Sequence, residues 1–164
     1  MSTTEFVYVS YIQATPEELY ASLTEWPSIE RYMGGWGPVS DWQVGSVVRW
    51  QMGPDSDAQD LGQKVLEAEP GKRLTYTWHT LQPMHRELFD TDEEFAAALG
   101  ERSTVSFAIE PGEVVEAGTK LTLTHGDFDS PDSKMLEGTS GGWVMIVSAL
   151  KTQLEGGRRL DGKA

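Results

Sequence analysis

Residues 142–155 read GWVMIVSALKTQLE, and the spacing of four side chains within them decides the fold. Trp143, Val147, Leu150 and Leu154 fall at i, i+4, i+7 and i+11. That is an apolar stripe with the 3.6-residue period of an α-helix. Lys151, Thr152 and Glu155 lie off the stripe, and Gly156-Gly157 is a natural stop. An amphipathic helix in a folded protein is held mainly by what covers its apolar face. The covering surface must come from the residues before it.

Those residues alternate as strands do. Val48, Trp50 and Met52 share one face of a strand over 46–52. Leu74, Tyr76 and Trp78 share a face over 73–79, with Thr75, Thr77 and His79 opposite. Val105, Phe107 and Ile109 repeat the pattern over 103–109, and Leu121, Leu123 and His125 over 120–128. Further strands are predicted over 6–12, 39–42 and 63–69. Two short helices follow the first strand. Thr15 caps one that begins at Pro16 and has Glu18 three residues after the cap. The other starts near Pro27 and ends at Gly34-Gly35. A block of strands closed by one amphipathic helix is an α+β arrangement, with one sheet face buried under the helix.

Composition narrows the function classes. Thirteen Lys and Arg against 26 Asp and Glu leave a net charge of −13. Such a surface repels nucleic acid and anionic membranes, which need basic residues to neutralise phosphates. No apolar run approaches the ~18 residues that cross a bilayer. Residues 1–5 lack the basic and apolar pattern of a signal peptide, so a cytoplasmic protein is expected. The absence of Cys excludes disulfides, thiol catalysis and thiolate metal sites. The spacing of His79, His85 and His125 follows no short metal motif, so no metal and no cofactor are expected. Asp90, Asp92, Glu93 and Glu94 flank Thr91, the cap of a short helix whose N-terminus favours acids.

Four segments in order carry a family likeness. They are Ala14–Thr24, Pro70–Trp78, Gly118–His125 and the helix with Gly142-Trp143, Leu150-Lys151 and Leu154-Glu155. Together they resemble the START-like, or SRPBCC, superfamily. Within it they resemble the AHSA-type family, homologues of the C-terminal domain of the activator of a heat-shock chaperone ATPase. The resemblance implies a helix-grip fold: a curved antiparallel sheet of about six to seven strands around a long C-terminal helix, with a hydrophobic cavity between them. No linker divides the chain, so one such domain is expected over 1–157, with a polar, flexible tail over 158–164. Family members pass quickly from the strand ending near Trp78 to the next. Here residues 81–100 intervene as an insert with a short helix, placed to cover the cavity mouth or to form a contact surface.

The expected function is binding of a small hydrophobic or aromatic molecule in that cavity, without catalysis. Its expected wall is Trp50, Met52, Tyr76, Trp78, Phe107, Leu123, His125, Trp143 and Val147. The bland reading of the same residues is ordinary core. The alternative is a cyclase or dehydratase with His125 as acid or base, since imidazole titrates near neutral pH. A third reading is a co-chaperone-like interaction domain with a chaperone partner, or a homodimer.

Overall fold

Seven antiparallel strands form one sheet in the computed structural model, which describes residues 4–112 and 118–156. The chain runs β1 (Phe6–Ile12), α1 (Pro16–Thr24), α2 (Trp26–Tyr32), β2 (Trp36–Val39), β3 (Val47–Met52), β4 (Gln59–Glu69) and β5 (Arg73–Thr77). A 3₁₀ helix (Pro83–Leu88), α3 (Asp92–Ala98), β6 (Thr104–Pro111), β7 (Thr119–Gly126) and α4 (Lys134–Gly156) complete it. The sheet order is β1-β7-β6-β5-β4-β3-β2. Strands β2 to β7 pair with their sequence neighbours, while β1 crosses to pair with β7, Phe6 facing His125 and Ile12 facing Thr119. The sheet curls around α4, which is the helix-grip arrangement.

Period-2 alternation places the core as expected. Val105, Phe107 and Ile109 of β6 are buried, as are Leu121, Leu123 and His125 of β7. Their register partners interleave, Phe107 opposite Leu123 and Val105 opposite His125. Strand β1 buries Ile12 but leaves Val7, Val9 and Tyr11 exposed on its outer face. Helix α4 meets this surface with Met135, Trp143, Val147 and Leu150. The cap at Thr15 forms in full: its hydroxyl accepts from Glu18 N at 3.1 Å, and Glu18 Oε1 accepts from Thr15 N at 2.9 Å.

Four strands differ from the sequence expectation; β7, expected to run to 128, ends at Gly126, where the left-handed φ of 66° at Asp127 stops it. The strand expected over 39–42 lies instead at Trp36–Val39. Trp42 cannot extend it, because its φ of 57° is left-handed. The tryptophan turns inward, donates from Nε1 to Thr24 O at 2.7 Å and packs its ring edge-on against Tyr76. Strand β4 begins at Gln59 rather than Gln63. A register shift in its pairing with β3 and a left-handed Gly62 interrupt the alternation there. Strand β5 ends its pairing at Thr77, two residues early, although Trp78 N still donates to Ser103 O at 2.9 Å. The tail expected over 158–164 lies outside the described residues.

Inner and outer faces should respond differently to truncation. Leu123→Ala, at a fully buried site, is expected to cost ~2–5 kcal/mol in chemical denaturation. Val9→Ala, on the exposed face of β1, is expected to change stability by no more than ~0.5 kcal/mol.

Candidate functional site: a pocket beneath the insert

The centre of the helix–sheet contact is aromatic. Trp143 of α4 lies 5.4 Å from Trp78 and 5.7 Å from Phe107, centroid to centroid. Its indole Nε1 donates to His125 Nδ1 at 2.9 Å. An indole nitrogen can only donate, so His125 Nδ1 must be the unprotonated nitrogen. His125 Nε2 then carries the proton and donates to Ser103 Oγ at 2.8 Å. The Ser103 hydroxyl is left to face Met135 Sδ at 4.0 Å. His125 has no exposed surface, and burial lowers its pKa to about 3, with a smaller contribution from His79. It is a neutral core group with both nitrogens engaged.

These rings fill the space in which the resemblance implies a deep cavity. Between Tyr76, Phe107, Trp143 and Val147 the free volume is only about 10 Å³. That is about the room one water needs. A larger opening of about 160 Å³ lies at the mouth of the fold. Trp78, His79 and Leu81 wall it on the sheet side, His85 and Leu88 of the 3₁₀ helix from the insert, and Lys134, Met135, Gly138 and Thr139 from α4. Three wider surface clefts, of about 610 Å³ beside Trp42, about 460 Å³ beside Arg102 and about 220 Å³ between α3 and the start of α4, are more polar. The mouth pocket is smaller but mostly apolar, with a few polar groups, as small-molecule sites are.

Its polar groups have fixed roles. His79 Nδ1 meets the Thr80 carbonyl at 2.9 Å, so it must carry the proton. His85 Nδ1 accepts from Gln82 N at 2.7 Å, capping the 3₁₀ helix, so its proton is on Nε2. The two rings lie parallel, 3° apart in plane and 5.8 Å between centroids. Desolvation lowers the pKa of both, which keeps them neutral at pH 7. Neither Nε2 has a hydrogen-bond partner among the described residues. Trp78 Nε1 is a buried donor also without a partner. At the rim, the Lys134 ammonium faces Glu137 at 3.7 Å.

The insert is tied to the helix it covers. Glu101, buried just after α3, accepts from Asp129 N and from Ser133 Oγ, each at 2.8 Å. Ser133 Oγ in turn accepts from Leu136 N at 3.2 Å, capping the start of α4. Thr91 caps α3 by accepting from Glu94 N at 3.1 Å.

Of the nine residues expected to wall a cavity, only Trp78 borders the mouth pocket. Tyr76, Phe107, Trp143 and Val147 border the narrow interior space. Trp50 is buried edge-on against Trp78, Leu123 and His125 are fully buried, and Met52 is half-buried. His125, the expected acid or base, lies behind the wall, its ring 5.1 Å from that of Trp78 and its Nε2 on Ser103, which faces Met135. His79, Leu81, His85, Met135 and Gly138 are not legible as site residues in the sequence. The one available signal is the insert itself, whose position after Trp78 points to the cavity mouth.

A curled antiparallel sheet gripping one long helix defines a helix-grip protein. Residues 13–155 match the family of activator of Hsp90 ATPase homolog 1-like proteins, and the chain belongs to it. Among solved structures it is similar to protein MLL2253 from Mesorhizobium loti, at 26% identity and TM-score 0.65, covering 92% of this chain and 96% of that one. It is also similar to Aha1 from Colwellia psychrerythraea, solved as a dimer, at 20% identity and TM-score 0.63, covering 92% and 96%. DynU16, from the dynemicin biosynthetic locus, gives 16% identity and TM-score 0.63 over 95% of this chain and 49% of that one. The last two likenesses concern the fold alone. Comparison with curated proteins gives no match.

The state of His125 can be measured. Its pKa is depressed on folding, so its contribution to stability is complete above ~6.5, the unfolded value, and declines as pH falls from there towards about 3. While only the unfolded chain takes up this proton, the loss is ~1.4 kcal/mol per pH unit. Nitrogen-15 NMR should show His125 as the neutral Nε2–H form throughout pH 8 to 5. Protonation at pH 6 would contradict the packed arrangement.

Proposed function

We propose that this protein binds a small hydrophobic or aromatic molecule in the pocket between the 3₁₀ helix and the start of α4. The observation that carries the reading is the mostly apolar pocket of about 160 Å³ walled by Trp78, Leu81, Leu88 and Met135. An engineered apolar cavity of ~150 Å³ takes up benzene, so one ring is the right scale. The origin of DynU16 in a biosynthetic locus agrees with small-molecule handling. No acid–base role is assigned to His125, whose nitrogens are both engaged in the core.

A second reading is association between copies, as in the Colwellia relative. It draws on Met145 of α4, which is 75% exposed, and on Met84, half-exposed on the 3₁₀ helix. A chaperone partner would need the same kind of surface. Light scattering distinguishes the two assemblies: Met145→Glu should turn a dimer into a monomer and leave a monomer unchanged.

Gly138 gives the sharper test of ligand binding. A Cβ placed there meets nothing within 4 Å. Gly138→Leu should therefore fill the pocket while gaining up to ~1 kcal/mol of helix propensity. Toluene at millimolar concentration should raise the melting temperature of the wild type. The variant should melt no lower than the wild type and show no such rise. An equal rise in both proteins would place the bound ligand elsewhere.

A further inference from the structure

The two edges of the sheet differ in how they are protected. Strand β2, at one edge, is only four residues long, Trp36–Val39, and contains Gly37 and Pro38. Short length and proline are common guards of an exposed edge. Strand β1, at the other, reads FVYVSYI and has no charge, no proline and no glycine. Its pairing with β7 runs without a register shift from Phe6 to Ile12.

Backbone groups along a strand point alternately to either side. Even-numbered residues of this segment turn to the β7 side. Thr4 O accepts from Phe128 N at 3.3 Å, and Ala14 O accepts from the Thr119 hydroxyl. Odd-numbered residues turn away. Tyr11 O accepts from Lys151 Nζ at 2.9 Å, and Gln13 N donates to Glu155 Oε2 at 2.8 Å. Val7 and Val9 therefore aim their N–H and C=O groups off the sheet, with no partner among the described residues. Both residues are also exposed, at 50% and 44%.

We propose that β1 pairs antiparallel with β1 of a second copy of this chain, about a two-fold axis at Tyr8, so that two sheets join edge to edge. Val7 then lies opposite Val9 of the second copy, and the two exchange N–H···O bonds in both directions. The symmetry repeats the pair on the other side of the axis. The exposed valine side chains of both copies meet as cross-strand pairs on the outer face. Charge selects a copy as the occupant and fixes the register. A chain of net charge −13 repels its copies, and β1 offers them a neutral strand to approach. With the axis at Tyr8, the exposed Glu5 lies opposite Tyr11 of the second copy, whose carbonyl holds the Lys151 ammonium. A carboxylate of each copy thus meets a cation of the other at both ends of the contact. An axis at Val7 would set Glu5 opposite Val9 and lose both pairs. The inference stands apart from the ligand pocket. It shares with the second reading only that copies associate, and it places the contact at the sheet edge instead of at Met145.

The test is sedimentation velocity of the intact protein from micromolar to millimolar concentration at low salt, where a monomer–dimer equilibrium is expected. Val7→Pro removes a backbone donor that faces away from β7, a position where an edge strand tolerates proline. It should raise the dimer dissociation constant at least tenfold. Glu5→Lys sets ammonium against ammonium and should weaken the dimer as well, and added salt should weaken the wild-type dimer. Because a proline can also disturb its neighbours in the strand, hydrogen exchange of the wild type gives an independent readout. The Val7 and Val9 amides should exchange more slowly as protein concentration rises, while the Tyr8 amide, already turned to β7, should not change. A wild type that stays monomeric at millimolar concentration would overturn this inference and the second reading together, and would leave the ligand pocket untouched. A dimer that Met145→Glu dissolves and Val7→Pro does not, with the Val7 and Val9 amides exchanging freely, would overturn the edge contact in favour of the helix face.

Discussion

A single hydrogen bond, from the Trp143 indole to His125, governs how helix and sheet meet in this molecule. It joins the long helix to the sheet at a point where neither partner reaches water. Removing either side would leave a buried polar atom unmatched, at ~1–3 kcal/mol. It sets the helix's rotation, because only one face of α4 can bring an indole nitrogen to that imidazole. It also sets the imidazole's tautomer, and through it the direction of the bond to Ser103 and the placement of Met135. A bond made for packing thus determines one wall of the pocket.

The same contact explains why the interior is closed. In a sheet curled around a helix, space remains between them when the facing side chains are small. Here Trp143, Trp78, Tyr76 and Phe107 meet ring to ring and fill it. The mouth pocket lies past the edge of the regular sheet, where β5 has stopped pairing and the chain begins its excursion through 81–100. The family's fold is retained, and residues of the 81–100 segment border the open space.

What can be read from the sequence divides along the same line. The stripe on α4 and the inner faces of β3, β5, β6 and β7 are legible, because alternation and the helical period report burial directly. The caps at Thr15 and Thr91 are legible from local chemistry. The likeness of four ordered segments to a known family supplies the strand connectivity, which periodicity does not. The pocket is largely hidden, for reasons that can be named. Strand parity assigns His79 to the outer face, yet pairing ends at Thr77 and parity no longer governs it. His85 and Leu88 stand on a 3₁₀ helix too short to show a period. The protons on these rings are directed by backbone groups at Thr80 and Gln82, and no side-chain pattern records that. Trp42 misleads in the other direction, since its left-handed backbone and inward ring are set by contacts with Thr24 and Tyr76 that are remote in sequence.

Glu101 is a shared fastening. Its two carboxylate oxygens hold the backbone at Asp129 and the hydroxyl that caps α4. The end of the 81–100 excursion and the first turn of the helix below it therefore meet at one buried side chain. Its loss would leave a backbone N–H and the capping hydroxyl without their partner at the same time.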